Sequence, residues 1–114
     1  MLAFTPITQH KPGLIASLLL QSYAEILAAE QRYWLQEEDK WQQFDREVFE
    51  NPDTIGRCVF ITSWEDRPIG LGSFDPRPKP EYGIIGHNCI VPQFRWRGYG
   101  RQQIFEMLNR LSGL

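Results

Sequence analysis

Arg95-Trp96-Arg97-Gly98-Tyr99-Gly100-Arg101 is the stretch that decides how this chain folds. An apolar run ends just before it at Val91-Pro92, and an amphipathic run follows it to about Leu111, so the seven residues join a strand to a helix. A helix start leaves main-chain N–H groups without intrahelical acceptors and carries the positive end of the dipole. Gly98 and Gly100 let a ligand come close to that main chain, and three arginines add positive charge. The segment reads as a cradle for a diphosphate.

Two familiar phosphate loops do not fit. The Walker pattern needs Lys and then Ser or Thr after its last glycine, whereas Arg101 and Gln102 follow Gly100. The dinucleotide fingerprint needs a third glycine where Gln103 stands and an acidic residue about 20 positions further on.

The segment resembles instead the acetyl-CoA loop of the GNAT superfamily of N-acetyltransferases, whose signature is Gln/Arg-x-x-Gly-x-Gly/Ala after a strand ending in an apolar-x-Pro step. Arg95, Gly98 and Gly100 match the signature, and Ile90-Val91-Pro92 match the strand end. The resemblance implies an α/β (α+β) fold, a mixed and mainly antiparallel sheet flanked by helices. It implies acetyl-CoA as cosubstrate, with Cys89, Ile90 and Val91 on the strand and Arg95, Trp96, Arg97, Gly98, Tyr99, Gly100 and Arg101 in the loop as its binding residues. The diphosphate would rest on the loop amides and the pantetheine arm along the strand, with a backbone N–H near Ile90 facing the thioester oxygen. A primary amine, on a small molecule or a peptide, would attack the thioester directly.

That attack needs a group to take a proton. In the histone-acetylating branch a glutamate stands where this chain has Ile84, so that base does not carry over. The remaining candidates are His87, Glu81 and Asp75, or a water relay, and His87 has an unperturbed pKa near 6.5 suited to the task. Strand alternation puts His87 on the face opposite Asn88 and Ile90. Tyr33 and Trp34 are candidate acceptor contacts, because in the family the helices after the first strand line that side.

Composition bounds the rest. The 114 residues are read as one domain, 1–114, with 42% hydrophobic and 23% charged residues, ordinary values for a globular chain. A net charge of -2 gives no general attraction to nucleic acid or an anionic membrane, so neither is expected as a partner. The Leu14 to Leu20 run is too short to span a bilayer. Cys58 and Cys89 fall in expected strands without neighbours at metal-ligand spacing, and read as buried thiols in a reducing, cytoplasmic protein with no metal.

In order, Leu2 to Ile7 reads as a strand and Leu14 to about Ala29 as a core helix with Leu14, Leu18, Leu19, Ile26 and Leu27 on its stripe. Trp41, Phe44, Val48 and Phe49 continue at helical spacing until Asn51-Pro52-Asp53. Cys58 to Thr62, Ile69 to Phe74 and Tyr82 to Val91 form a meander, and Gly70 and Gly72 mark a bulge or a close approach. The last helix is expected to bury Ile104, Leu108 and Leu111, with Phe105 beside them.

In the family, a further strand, helix and hairpin follow this helix. Their absence here leaves the Tyr82 to Val91 edge unpaired. A fragment of a longer enzyme, a naturally short member with weak or no activity, and a homodimer completed across that edge are all open.

Overall fold

The computed structural model describes residues 1–25, 31–78 and 80–113, and of residues 31–34 only the backbone. Four strands are described: β1 (Leu2–Pro6), β2 (Val59–Trp64), β3 (Arg67–Asp75) and β4 (Ile84–Ile90). They form one antiparallel sheet in the order β1-β2-β3-β4. Three α-helices lie wholly within the described residues: α1 (Leu14–Ser22), α2 (Gln31–Glu50) and α3 (Tyr99–Ser112). The expected helical continuation to Ala29, with Ile26 and Leu27, lies outside the described residues.

Alternation along the strands divides the core in two. Val59, Ile61, Ile69, Leu71 and Cys89 point to one face, where α1 and α2 supply Ile15, Leu18, Leu19, Trp41 and Val48. Phe60 and Phe74 point to the other, where α3 supplies Met107 and Leu111. Between these layers the sheet tolerates no side chain at two positions. A Cβ on Gly70 would lie 2.3 Å from the Cys89 carbonyl oxygen, and one on Gly72 would lie 2.5 Å from Phe60 Cζ.

Three expectations are corrected. Leu108 and Phe105 are 49% and 56% exposed, because α3 turns Gln103, Met107 and Leu111 toward the sheet instead. The side chain of Gln103 is polar, yet carbonyls of β3 and β4 accept from its amide, which fixes the helix in that rotation. Cys58 lies in the 3-10 turn Ile55–Cys58, not in a strand, and is half-buried, since β2 pairing begins one residue later. The Leu14 to Ala29 helix is interrupted at Tyr23, which closes α1 with its N–H on the Leu19 carbonyl.

A buried carboxylate joins the helices on the first face. Asp45, on the same stripe of α2 as Trp41 and Val48, accepts the N–H of Gly13 at 2.8 Å and of Ala16 at 2.9 Å. It caps α1 from outside that helix, at the end where the dipole favours a negative charge.

Candidate active site

The chain leaves β4 through the short 3-10 turn Pro92–Phe94, then reverses into α3. The reversal is made by left-handed backbone at Trp96 (φ 66°) and Gly98 (φ 82°). Glycine takes such angles freely, while tryptophan does so at a cost of about 1 kcal/mol. Gln102 is the first residue whose N–H reaches back across the mouth, to the Gly98 carbonyl at 3.1 Å. The amides of Tyr99, Gly100 and Arg101 therefore have no acceptor within the helix.

Above those amides the main chain is bare. A Cβ on Gly100 would meet nothing nearer than Asn88 Nδ2, at 4.0 Å. A cavity of about 260 Å³ opens there, bounded by Asn88 and Ile90 on β4 and by the loop from Phe94 to Gly100. The Tyr99 ring stacks on Trp64 with centroids 5.7 Å apart, so β2 steadies the helix start. Electropositive main chain, open approach and a concave wall fit a diphosphate.

The three arginines are used differently. Arg95 turns inward: Nε donates to the Ile90 carbonyl at 3.1 Å, and a terminal nitrogen donates to the Ser22 carbonyl at the end of α1. It fastens α1 to the end of β4, so its guanidinium holds the loop in place. Arg97 lies over the Phe94 ring at 5.2 Å and Arg101 over Phe105 at 5.5 Å, both exposed in the loop and first turn. Trp96 is fully exposed at 100%.

Beside this mouth, β4 is the last strand of the described sheet, with one side free. Val91 donates its N–H to the Ile69 carbonyl of β3 at 2.8 Å. Antiparallel alternation then turns the N–H and C=O of Ile90 toward the free side. The Ile90 carbonyl is taken by Arg95, which leaves its N–H as the donor facing outward.

A larger cavity of about 680 Å³ opens on the α2 side of the same strand, between Phe44 and Glu47 of α2 and Ser73 to Arg77, Gly86 and His87 of the sheet. His87 and Asp75 both line it. The His87 ring packs against Phe44 with centroids 5.1 Å apart, and the main-chain N–H of His87 donates to Ser73 Oγ at 2.7 Å, where β3 bulges. Burial pushes the His87 imidazole below its usual 6.5, so the ring is neutral at neutral pH and one of its nitrogens can accept a proton. Asp75 is clamped by Arg77, whose Nε and a terminal nitrogen donate to its oxygens at 2.6 to 3.0 Å. Those bonds hold the Asp75 carboxyl below the usual range, which makes it a poor base. Glu81 is exposed in the turn before β4 and lines neither cavity. Tyr33 and Trp34 lie on α2, with side chains outside the described residues.

Two residues that build the cavity walls are not expected there from the sequence. Gln103 is wholly buried and donates to the carbonyls of Leu71 (3.1 Å) and Cys89 (3.3 Å) and to Asn88 Oδ1 (2.7 Å), which positions a wall of the smaller cavity. Phe44 forms a wall of the larger one. The signal for Gln103 is its spacing: it stands four residues before Met107, in phase with the buried stripe.

An antiparallel sheet with helices on both faces, and a glycine loop feeding a helix from its edge strand, is a GNAT-like arrangement. The chain belongs to the acetyltransferase (GNAT) family, whose model matches residues 16–112. Its fold is similar to the crystal structure of PH1933 from Pyrococcus horikoshii OT3, with a TM-score of 0.68 at 15% identity over 99% of this chain and 73% of that one. No curated protein matches the chain. Among the described residues no helix is long and apolar enough to cross a membrane.

Proposed function

We propose that this chain moves an acetyl group from acetyl-CoA to a primary amine by direct attack, in the cytoplasm. The observation that carries the reading is the placement of two cavities on opposite faces of one edge strand. The α3 side offers unbonded helix amides to the diphosphate, and the α2 side offers a neutral imidazole beside a chamber for the acceptor. A pantetheine arm lying along the free side of β4 would pair with its main chain as an added strand does. The outward N–H of Ile90 would then face the thioester oxygen. An acceptor that arrives as ammonium first loses a proton to solvent; the neutral amine then attacks the carbonyl carbon, the C–N bond forms and the C–S bond breaks. The amine proton passes to His87 or to a water beside it, and the departing thiolate takes a proton from solvent.

One observation favours a second reading, a non-catalytic CoA-binding or interaction domain. Ile84 stands at the family's glutamate position and Asp75 is tied to Arg77, so neither supplies a free carboxylate. Calorimetric titration with CoA tests what the two readings share, and no binding would remove both. Thiol release from acetyl-CoA across a panel of amines separates them, because the enzyme alone gives acceptor-dependent release. The free edge of β4 is also where we propose that a second copy pairs. Pantetheine and a second copy would compete for it, so sedimentation should show CoA dispersing any dimer.

A further inference from the structure

We propose that the acceptor is a primary amine carried on an apolar body, seated in the α2-side cavity with its nitrogen beside His87; this rests on the acetyl-transfer reading above. At about 680 Å³ the cavity falls within the range of small-molecule sites. Its walls include Phe44, Ile55, Val59 and Phe74, and Ile55 stays 42% exposed at the chain's surface. Such a lining favours an aliphatic or aromatic body by the apolar area it removes from water.

The charges around the cavity select one ammonium and no more. Asp75 and Arg77 neutralise each other through their ion pair. Glu47 is exposed at the rim, accepts from the neutral Gln43 amide at 3.1 Å, and forms no ion pair among the described residues. It can attract an incoming ammonium. A second ammonium would find no further unpaired carboxylate among the described residues lining the cavity, and burying it there without a counter-ion is costly. Polyamines and aminoglycosides are thereby disfavoured. The nitrogen has its place because His87 adjoins Asn88, and Asn88 lines the diphosphate cavity on the other face. The reacting atoms can meet at the strand between.

The test is a homologous series of n-alkylamines from butylamine to heptylamine, with 2-phenylethylamine and spermidine, assayed by thiol release from acetyl-CoA with the whole chain. KM should fall about three-fold for each added methylene, with kcat nearly constant. Glu47→Gln should raise KM for every alkylamine up to about five-fold and leave CoA affinity unchanged. A flat KM series, or spermidine as the preferred acceptor, would overturn the inference. A second measurement needs no turnover: the His87 imidazole resonances should shift on titration with hexylamine and stay put with spermidine. No shift with hexylamine overturns the inference even if other amines are acetylated. A shift without acetylation upholds the cavity assignment and sinks the acetyl-transfer reading alone.

Discussion

Gln103 Nε2 donates to Asn88 Oδ1 across 2.7 Å, joining the helix that begins at the glycine loop to the strand that forms the other wall of the same cavity. The amide also reaches the Leu71 and Cys89 carbonyls, so one buried side chain serves both sheet cohesion and site geometry. Gln103→Leu keeps the volume and removes the donors. The loss is tempered because Oε1 has no partner among the described residues. Urea unfolding should show destabilisation by about 1–2 kcal/mol, with weaker CoA binding by calorimetry.

Asp45 holds the start of α1 through two main-chain N–H groups while itself 3% exposed. Asp45→Ala should lower stability by about 2–3 kcal/mol, since two buried donors lose a charged acceptor. Asp45→Asn should fall between, because an amide presents only one oxygen. Urea midpoints of the three proteins check the order.

Gly98 and Gly100 should respond oppositely to alanine. Gly98→Ala meets no steric obstacle but must hold φ near 82°, and should lose about 1 kcal/mol. Gly100 lies in the first turn of α3 with space around it, so Gly100→Ala should gain about 0.5–1 kcal/mol. Thermal unfolding of the pair distinguishes backbone strain from helix propensity.

Acid should destabilise the protein in a defined window. His87 titrates below 6.5 in the fold because burial opposes its charge, so the unfolded chain takes up its proton first. Its contribution is full above pH 6.5 and is lost as pH falls through the lower, folded value. His10 is displaced the same way by burial, whereas the lowering of Asp75 acts only below about pH 4. Urea titrations at pH 7.5 and 5.5 should therefore show a drop that His87→Gln reduces but does not abolish. If His87 is the base, the same acid limb should appear in kcat/KM.

The sequence was most legible where local chemistry dictates the backbone. Pro92, Gly98 and the alternating run before them specify a strand, a reversal and a helix within a few residues, and the structure has all three. Gly70 and Gly72 likewise announced close approach, and Cys89 and Phe60 are what approach them. Legibility failed where a polar group sits in phase with a buried stripe. Asp45 and Gln103 look like surface residues until partners 29 and 32 positions away are known. The larger cavity was hidden for a related reason: it exists only because α2 brings Phe44 and Glu47 opposite Ser73 to Arg77 and His87, and a bulge at Ser73 sets how they meet.

Because the two hollows lie back to back across a single ribbon of chain, on the acetyl-transfer reading neither reactant would stand in the other's doorway. Whichever arrived first would leave the second route open, and spent coenzyme could depart without waiting for the acylated product. Initial-rate lines plotted at several fixed concentrations of the partner should thus intersect, as expected when both molecules are aboard before the bond is exchanged.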